Sequence, residues 1–454
     1  MALTEELVEG DLYRVVLVLP RSKMVLAERH NEILRLPRIR IPQWTRIAEQ
    51  LTNEFLKAWN VRSVLIDVLP GALEIPRCAV IEIRSPDWEF AADGFYEASI
   101  DDLDEQEMTT AECVTVQSIL AGDAQDRGPF SRLGWVDEAR DWVRENVSDN
   151  AFQFSEDTRQ LNAGGSFALI RFGTLKDPAY WVKATGEPNR HELSVTAHLA
   201  KISPELIPPL VATREDWNAW AMEEVGSSLA HSVSLITIKL AGSGLAELQK
   251  QTVCQTDELF RSGCLDQRLE VLSDRLGEVF QYLKKMRPQK ESEDLPELDL
   301  VSYSRLEDIL REAIDRMKAL NIPDTVTNND LKLANILSDG HRCVFTDWCH
   351  AYVGNPFLAF QHVHTYLLRR LPDLAIPFQH SYSATWRTQL SVAQVDDAFS
   401  LSPLLAPYAY LHGQGIERIA RRVEEPNFQR FCRRLMLHMW RVANDTQFLG
   451  VLCK

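Results

Sequence analysis

Apolar positions along the chain change their period twice, and the changes divide it. Near the start they come in runs and alternations. Leu12 to Leu19, Met24 to Ala27, Val64 to Val68 and Ala79 to Ile83 predict strands, and a helix over 45–59 carries Ile47, Leu51, Phe55 and Trp59 on its apolar face. The middle predicts a hairpin, Phe167 to Phe172, a turn at Gly173 to Pro178, then Tyr180 to Lys183. Helices are predicted over Val136 to Val147 and over Asn189 to Ile202, the latter with Leu193, Ala197 and Ala200 at helical spacing and Glu192 in its first turn. From about residue 227 the period is predominantly helical. Leu269, Leu272, Leu276, Val279, Phe280 and Leu283 form one stripe, and Leu306, Ile309, Leu310, Ile314, Met317 and Leu320 a second. Gln289 to Asp299, charged and holding Pro296, predicts a solvated connection between them. Segments 355–370, 382–399 and 402–450 predict further helices.

A chain of 454 residues supports two or three domains. Small and charged residues from Gly122 to Pro129 make the best linker, which gives a first domain at 1–125, a linking helix at 126–150, a small lobe at 151–226 and a helical lobe at 227–454. The net charge of −16 argues against nucleic acid or an anionic membrane surface as the main partner and is compatible with a cationic acceptor such as an amino sugar or amino alcohol. No run of about 18 apolar residues spans a membrane. The first residues lack the order of a signal peptide. The eight cysteines include no C-x-x-C pair, and Cys343 and Cys349 suit reduced thiols, so a cytoplasmic location is expected.

Candidate chemistry concentrates in TNNDLKLANILSDGHRCVFTDW, residues 327–348. Asp330, Asn335 and Asp347 supply what phosphoryl transfer from a nucleoside triphosphate needs: one acid for the acceptor hydroxyl, and an amide and a second acid for magnesium. Asn335-Ile336-Leu337 and Cys343-Val344-Phe345 predict a hairpin turned by Ser338-Asp339-Gly340, which would return Asp347 beside Asn335. Upstream, Gly164, Gly165 and Ser166 form a glycine-containing turn followed by the strand-borne Lys183, an arrangement that covers phosphates with N–H groups and reaches them with an ammonium.

DLKLANIL followed by VFTDW resembles the catalytic segment of the aminoglycoside phosphotransferase and choline kinase family, whose usual form is H-G-D-x-x-x-x-N-I-L and then an apolar strand ending in I-D-W. The resemblance implies a two-lobed protein-kinase-like fold over about 150–454, with ATP or GTP as donor and a small-molecule hydroxyl as acceptor. It assigns catalysis to Asp330, Mg2+ to Asn335 and Asp347, and the orientation of Lys183 to Glu192. Trp220 to Gly226 is similar to the family's hinge, where backbone groups near Glu223 and Val225 would read the base. One departure stands out: the family's His-Gly is Asn328-Asn329 here. Helices after the second acid build the acceptor pocket in the related enzymes, which makes Trp348, His350, Tyr352, His362, Tyr366, Tyr408 and His412 candidates for substrate contact. His362 and His364 are two apart on a helix and face different ways, so they do not share a metal.

Strand, strand, loop, helix and further strands over 1–125 resemble the Nudix fold, and Phe95 to Leu103 resembles its strand-to-helix segment. Of the Nudix box acids only Glu54 survives; Lys57 and Ala58 replace the paired glutamates, Thr45 the upstream one and Ile39 the glycine. A lysine there repels a metal ion, so the expectation is a non-hydrolytic module through which a protein partner or a second copy docks. The expected class is α+β, a kinase-like fold preceded by a small Nudix-like α/β domain. The function is either small-molecule O-phosphorylation or, given Asn328-Asn329, nucleotide binding by a pseudokinase.

Overall fold

Val15, Val16, Leu17 and Val18 are consecutive apolar residues with no solvent exposure, as in a strand covered on both faces. They centre β1 (Gly10–Leu19), whose side chains alternate between two cores: Tyr13, Val15 and Leu17 enter one, Val16 and Val18 the other. The computed structural model describes residues 10–31, 33–43, 45–70, 75–123, 127–147, 153–176, 178–286, 298–445 and 448. It divides into one unit of Met1–Leu193 with Leu210–Glu224 and another of Ser194–Pro209 with Val225–Lys454.

In the first unit, β1 is followed by β2 (Met24–His30), β3 (Ile33–Arg35), β4 (Arg38–Pro42), α1 (Ile47–Trp59), β5 (Ser63–Leu69), β6 (Arg77–Ile83) and β7 (Phe95–Ala98). The sheet runs β3-β2-β1-β6-β5, with β4 also on β1 and β7 on β2. Only the β1 and β6 pair is parallel among these strands. α1 covers one face through Ala48, Leu51 and Phe55. α2 (Thr110–Ala121) and α3 (Trp135–Asn146) lie in the core on the other face, and so does a second sheet.

That second sheet comprises β8 (Phe154–Asn162), β9 (Ala168–Thr174), β10 (Tyr180–Ala184), β11 (Leu210–Arg214) and β12 (Ala219–Glu223), in the order β11-β12-β10-β9-β8. Ile170, Phe172, Val182 and Ala221 share one apolar cluster with Val16, Val18, Ile66 and Val80 of the first sheet. A bulge in β5 between Leu65 and Asp67 shifts the ladder register there, and the Gln160 side chain on β8 bonds the backbone at Leu65. Gln160 accepts from the Leu65 N–H at 2.8 Å and donates to its carbonyl at 2.9 Å. Arg14, 1% exposed, donates to Glu112 on α2 at 2.6 Å and to the Pro76 carbonyl at 2.9 Å. A buried pair of this kind fixes geometry more than it adds stability.

α4 (Glu192–Ile202) begins in the first unit and continues into the second. The second unit then runs β13 (Ser227–Ser228), α5 (Leu235–Gln251), α6 (Thr256–Arg261), β14 (Leu265–Gln267), α7 (Leu269–Lys285), α8 (Leu300–Ala319), β15 (Thr325–Asn328), β16 (Ile336–Ser338), β17 (Cys343–Phe345) and β18 (Ala351–Gly354). It closes with α9 (Pro356–Arg370), α10 (Pro372–Trp386), α11 (Val392–Gly413), α12 (Ile416–Arg422) and α13 (Pro426–Ala443). Every member of the α7 stripe is buried, as are Leu306, Leu310, Ile314 and Met317 on α8. Most of the Gln289 to Asp299 connection, and part of the Gly122 to Pro129 linker, lie outside the described residues.

The expected break between 399 and 402 is not there. The chain breaks instead at 387–391, where Ser391 and Gln394 form a reciprocal cap, and α11 continues through Pro403 and Pro407. An interior proline costs about 3 kcal/mol. Burial of Leu401, Leu404, Leu405 and Tyr408 offsets that cost. Among the described residues no helix is long and apolar enough to cross a membrane.

Candidate active site

The second unit holds the carboxylate and carboxamide segment, and its shape follows from local bonds. β15 delivers Asn328 opposite Ala351 of β18. The Asn329 N–H then donates to the His350 carbonyl at 3.1 Å. Asn328 is 1% exposed. Its Oδ1 accepts from the Asp330 N–H at 2.8 Å and its Nδ2 donates to the Asp347 carbonyl at 2.7 Å. One buried side chain therefore ties the backbone at Asp330 to the backbone at Asp347. Asn335 closes the loop from the other side, with Nδ2 donating to the Asp330 carbonyl at 3.0 Å.

The hairpin after Asn335 pairs Ile336 with Phe345, Leu337 with Val344 and Ser338 with Cys343. Its turn is held by Asp339, which accepts from the N–H groups of His341 and Arg342 at 2.8 and 2.9 Å, and by Gly340 at φ +90°. Thr346 N–H donates to the Asn335 carbonyl at 3.0 Å, so the residue before Asp347 is fastened to Asn335. Asp347 itself turns through the left-handed region at φ +66°, which aspartate tolerates better than most residues. Two side chains to which the sequence assigns no role at the site join it: the Lys332 ammonium is 2.7 Å from the Asp330 carboxylate, and the Cys349 thiol is 3.4 Å from Asp347 Oδ1.

The first unit holds the other predicted residues. On β10, Val182 and Ala184 enter the core, so Lys183 between them takes the opposite face. Its ammonium donates to Glu192 Oε1 at 2.5 Å and stands 5.7 Å from the Trp220 ring centre. Glu192, at the start of α4, is 1% exposed. Gly164, Gly165 and Ser166 form the turn between β8 and β9. A Cβ on Gly165 would sit 1.6 Å from the Arg127 carbonyl, and the Phe130 N–H donates to the Gly165 carbonyl at 3.1 Å. Packing against residues 127–131 is thus sufficient reason for a glycine at 165.

Glu223 ends β12, and the chain passes between units after Glu224. Glu224 accepts from Arg171 at 2.6 and 2.8 Å and from Trp181 Nε1 at 3.1 Å, an anchor that the sequence did not single out. In the second unit Val225 is buried, and Gly226 passes so close to the Ser338 carbonyl, 1.9 Å from a Cβ placed there, that only glycine fits.

Several candidate substrate contacts are core residues instead. Trp348 donates to the Phe345 carbonyl at 3.2 Å, Tyr408 to the Leu272 carbonyl at 2.6 Å, and Tyr352 has no exposure. Their indole and phenol groups serve packing, where aromatic area is most effective. His350 and Tyr366 are exposed, and His412 precedes Gly413 at the end of α11. His362 lines a cavity, and burial, opposed by the charge of Asp330, pushes its pKa down to about 4. His364 stacks on Phe360 at 5.1 Å, a packing role.

No family model matches the chain, and no curated protein matches it in sequence. Solved structures do align with it. A choline/ethanolamine kinase family protein from Mesorhizobium loti is 12% identical over 70% of this chain and 98% of that chain, with a TM-score of 0.45. Choline kinase from Cryptosporidium parvum Iowa II is 15% identical over 74% of this chain and 97% of that chain, with a TM-score of 0.44. An aminoglycoside phosphotransferase from Alicyclobacillus acidocaldarius is 15% identical over 68% of this chain and 96% of that chain, with a TM-score of 0.40.

Proposed function

We propose that the chain is a nucleoside-triphosphate-dependent phosphotransferase of kinase-like fold that phosphorylates a hydroxyl of a small molecule. The observation that carries this is the Asn328 carboxamide bonded to the backbone of both Asp330 and Asp347. A side chain bonded in this way can prop the loop from position 328, which supports the enzyme over the pseudokinase reading of Asn328-Asn329.

Asp330 accepts the proton of the acceptor hydroxyl, whose oxygen attacks the γ-phosphorus. The new O–P bond forms as the bridging bond to the β-phosphate breaks, and the nucleoside diphosphate leaves with that electron pair. Asn335 has its Nδ2 committed to the Asp330 carbonyl, so Oδ1 is the end that can turn to a cation. With the Asp347 carboxylate it offers oxygen donors, which suit Mg2+. Asn335 and Asp347 would hold Mg2+, which would neutralise phosphate charge. Lys183, oriented by Glu192, binds the phosphates of ATP or GTP. The Gly164, Gly165 and Ser166 turn covers them, and the backbone near Glu223 and Val225 reads the base.

For residues 1–125 we retain a Nudix-like, non-hydrolytic module open to a protein partner or a second copy. Support comes from α1, where the Lys57 ammonium stands 3.7 Å from the Glu54 carboxylate, a charge that repels a metal ion there.

The test is magnesium-dependent thermal stabilisation by nucleotide followed by an acceptor screen. A nucleotide at 100 times its dissociation constant adds about 2.7 kcal/mol. Stabilisation with transfer supports the enzyme, stabilisation with no transfer to any acceptor makes the chain a binding module, and neither removes both readings.

A further inference from the structure

α9, α11 and α13 turn one face each toward a common cavity of about 320 Å³, within the range of small-molecule sites. On α9 the lining positions His362, Thr365 and Arg369 follow helical spacing, and on α13 Arg434 and His438 are one turn apart. Tyr410 of α11 stands edge-on to His362 at 5.7 Å and to Phe431 at 5.9 Å. Pro407 of the same wall has no N–H to return to the Pro403 carbonyl, which leaves that carbonyl without its usual donor.

The wall holds two arginines and no carboxylate. Neither Arg369 nor Arg434 forms an ion pair with another described residue. The histidines add polarity rather than charge at neutral pH: burial lowers His362 to about 4, and burial with the nearby Arg369 and Arg441 lowers His438. His362 Nε2 is sealed from solvent with no hydrogen-bond partner among the described residues. The Asp330 carboxylate is close enough that its charge acts on both His362 and Tyr410.

We infer that this cavity takes the acceptor and that the acceptor carries an anionic group, a carboxylate or a phosphate, which Arg369 and Arg434 hold while a hydroxyl is presented to Asp330. This rests on the phosphotransferase reading. A guanidinium matches either anion with two parallel hydrogen bonds. An amino sugar or amino alcohol would meet two positive groups in this wall and no acid among its lining side chains. The overall charge of −16 does not decide the matter, because exposed charges are screened beyond about 8 Å at physiological ionic strength. Neutral histidines, Tyr410 and the Pro403 carbonyl give hydroxyls both donors and acceptors. Transfer then proceeds as above, with the acceptor oxygen gaining the phosphoryl group, Asp330 taking its proton and the nucleoside diphosphate leaving.

The test measures calorimetric binding of D-gluconate, glycerol 3-phosphate, glucosamine and ethanolamine to the full chain, its Arg369→Gln and Arg434→Gln variants and the charge-keeping Arg434→Lys. The two acids separate a carboxylate from a phosphate preference. Acids should bind the parent more tightly than amines, each glutamine variant should lose roughly tenfold or more, and Arg434→Lys should recover part of the loss. Magnesium-nucleotide binding, measured on the same samples, should stay unchanged and shows that the variants fold. Tighter binding of the amines, acid binding indifferent to both arginines, or binding of neither class overturns the anionic acceptor. Loss of nucleotide binding in the parent overturns the phosphotransferase reading instead, so the two failures are distinct.

Discussion

Asn328 and Asp347 are nineteen residues apart, yet the carboxamide of one donates to the carbonyl of the other at 2.7 Å while accepting from the Asp330 N–H at 2.8 Å. Removing that side chain takes a hydrogen-bond partner from two part-buried backbone groups. Asn328→Ala should cost about 1 to 3 kcal/mol in thermal or chemical unfolding. It should also reduce turnover, because Asp330 and Asp347 lose their common tether. Asn328→His, which keeps a donor and an acceptor, should retain activity. Equal stability of parent and alanine variant would show that the tether does not matter.

Lys183 and Glu192 offer a second check, since their charged ends are 2.5 Å apart and Glu192 is 1% exposed. A double-mutant cycle with Lys183→Ala and Glu192→Ala, read as nucleotide affinity, should give a coupling energy on the order of 1 to 3 kcal/mol. Simple additivity would mean that Glu192 does not act through Lys183.

Asp324 gives a pH prediction for stability. Burial, with Glu270 adding to it, raises its carboxyl pKa to about 6. The folded state then binds the proton more strongly than the unfolded chain, whose carboxyl titrates near about 3.9. Stability from this group is complete below about pH 4 and is lost as pH rises through about 6. Asp324→Asn should therefore stabilise the protein at pH 7.5 by an amount on the order of 1 to 3 kcal/mol and change little at pH 4. Unfolding midpoints of the two proteins across pH 4 to about 8 check it, and a constant offset would contradict the sign.

How far the sequence could be read depended on whether a feature was local. The apolar run at Val15 to Val18, the leucine stripes of α7 and α8, and the hairpin between Ile336 and Phe345 are patterns of single segments, and each element forms where its pattern indicates. α2 was not anticipated, because its apolar residues Val114, Val116 and Ile119 do not form one narrow stripe and Val114 is exposed. β4 was missed because Ile39 and Ile41 alternate with three exposed residues over only five positions. The common core of Val16, Val80, Ile170 and Val182 could not be read at all, since nothing in a strand says which other sheet will cover it. At the candidate site, Asp330, Asn335 and Asp347 sit in one continuous motif. Arg369, Tyr410 and Arg434 come from three helices, and only the packing of α9, α11 and α13 brings them to one cavity.

The most direct test of the central claim compares Asp330→Ala with Asp347→Ala in magnesium-dependent nucleotide binding and in single-turnover phosphoryl transfer to an accepted substrate. Asp347 is assigned to the cation, so its loss should abolish the magnesium-dependent part of nucleotide binding. Asp330 is assigned to the acceptor hydroxyl, so its loss should leave that binding near the parent value while transfer falls by roughly a hundredfold or more. Equal loss of binding in the two variants, or undiminished transfer without Asp330, would contradict the account.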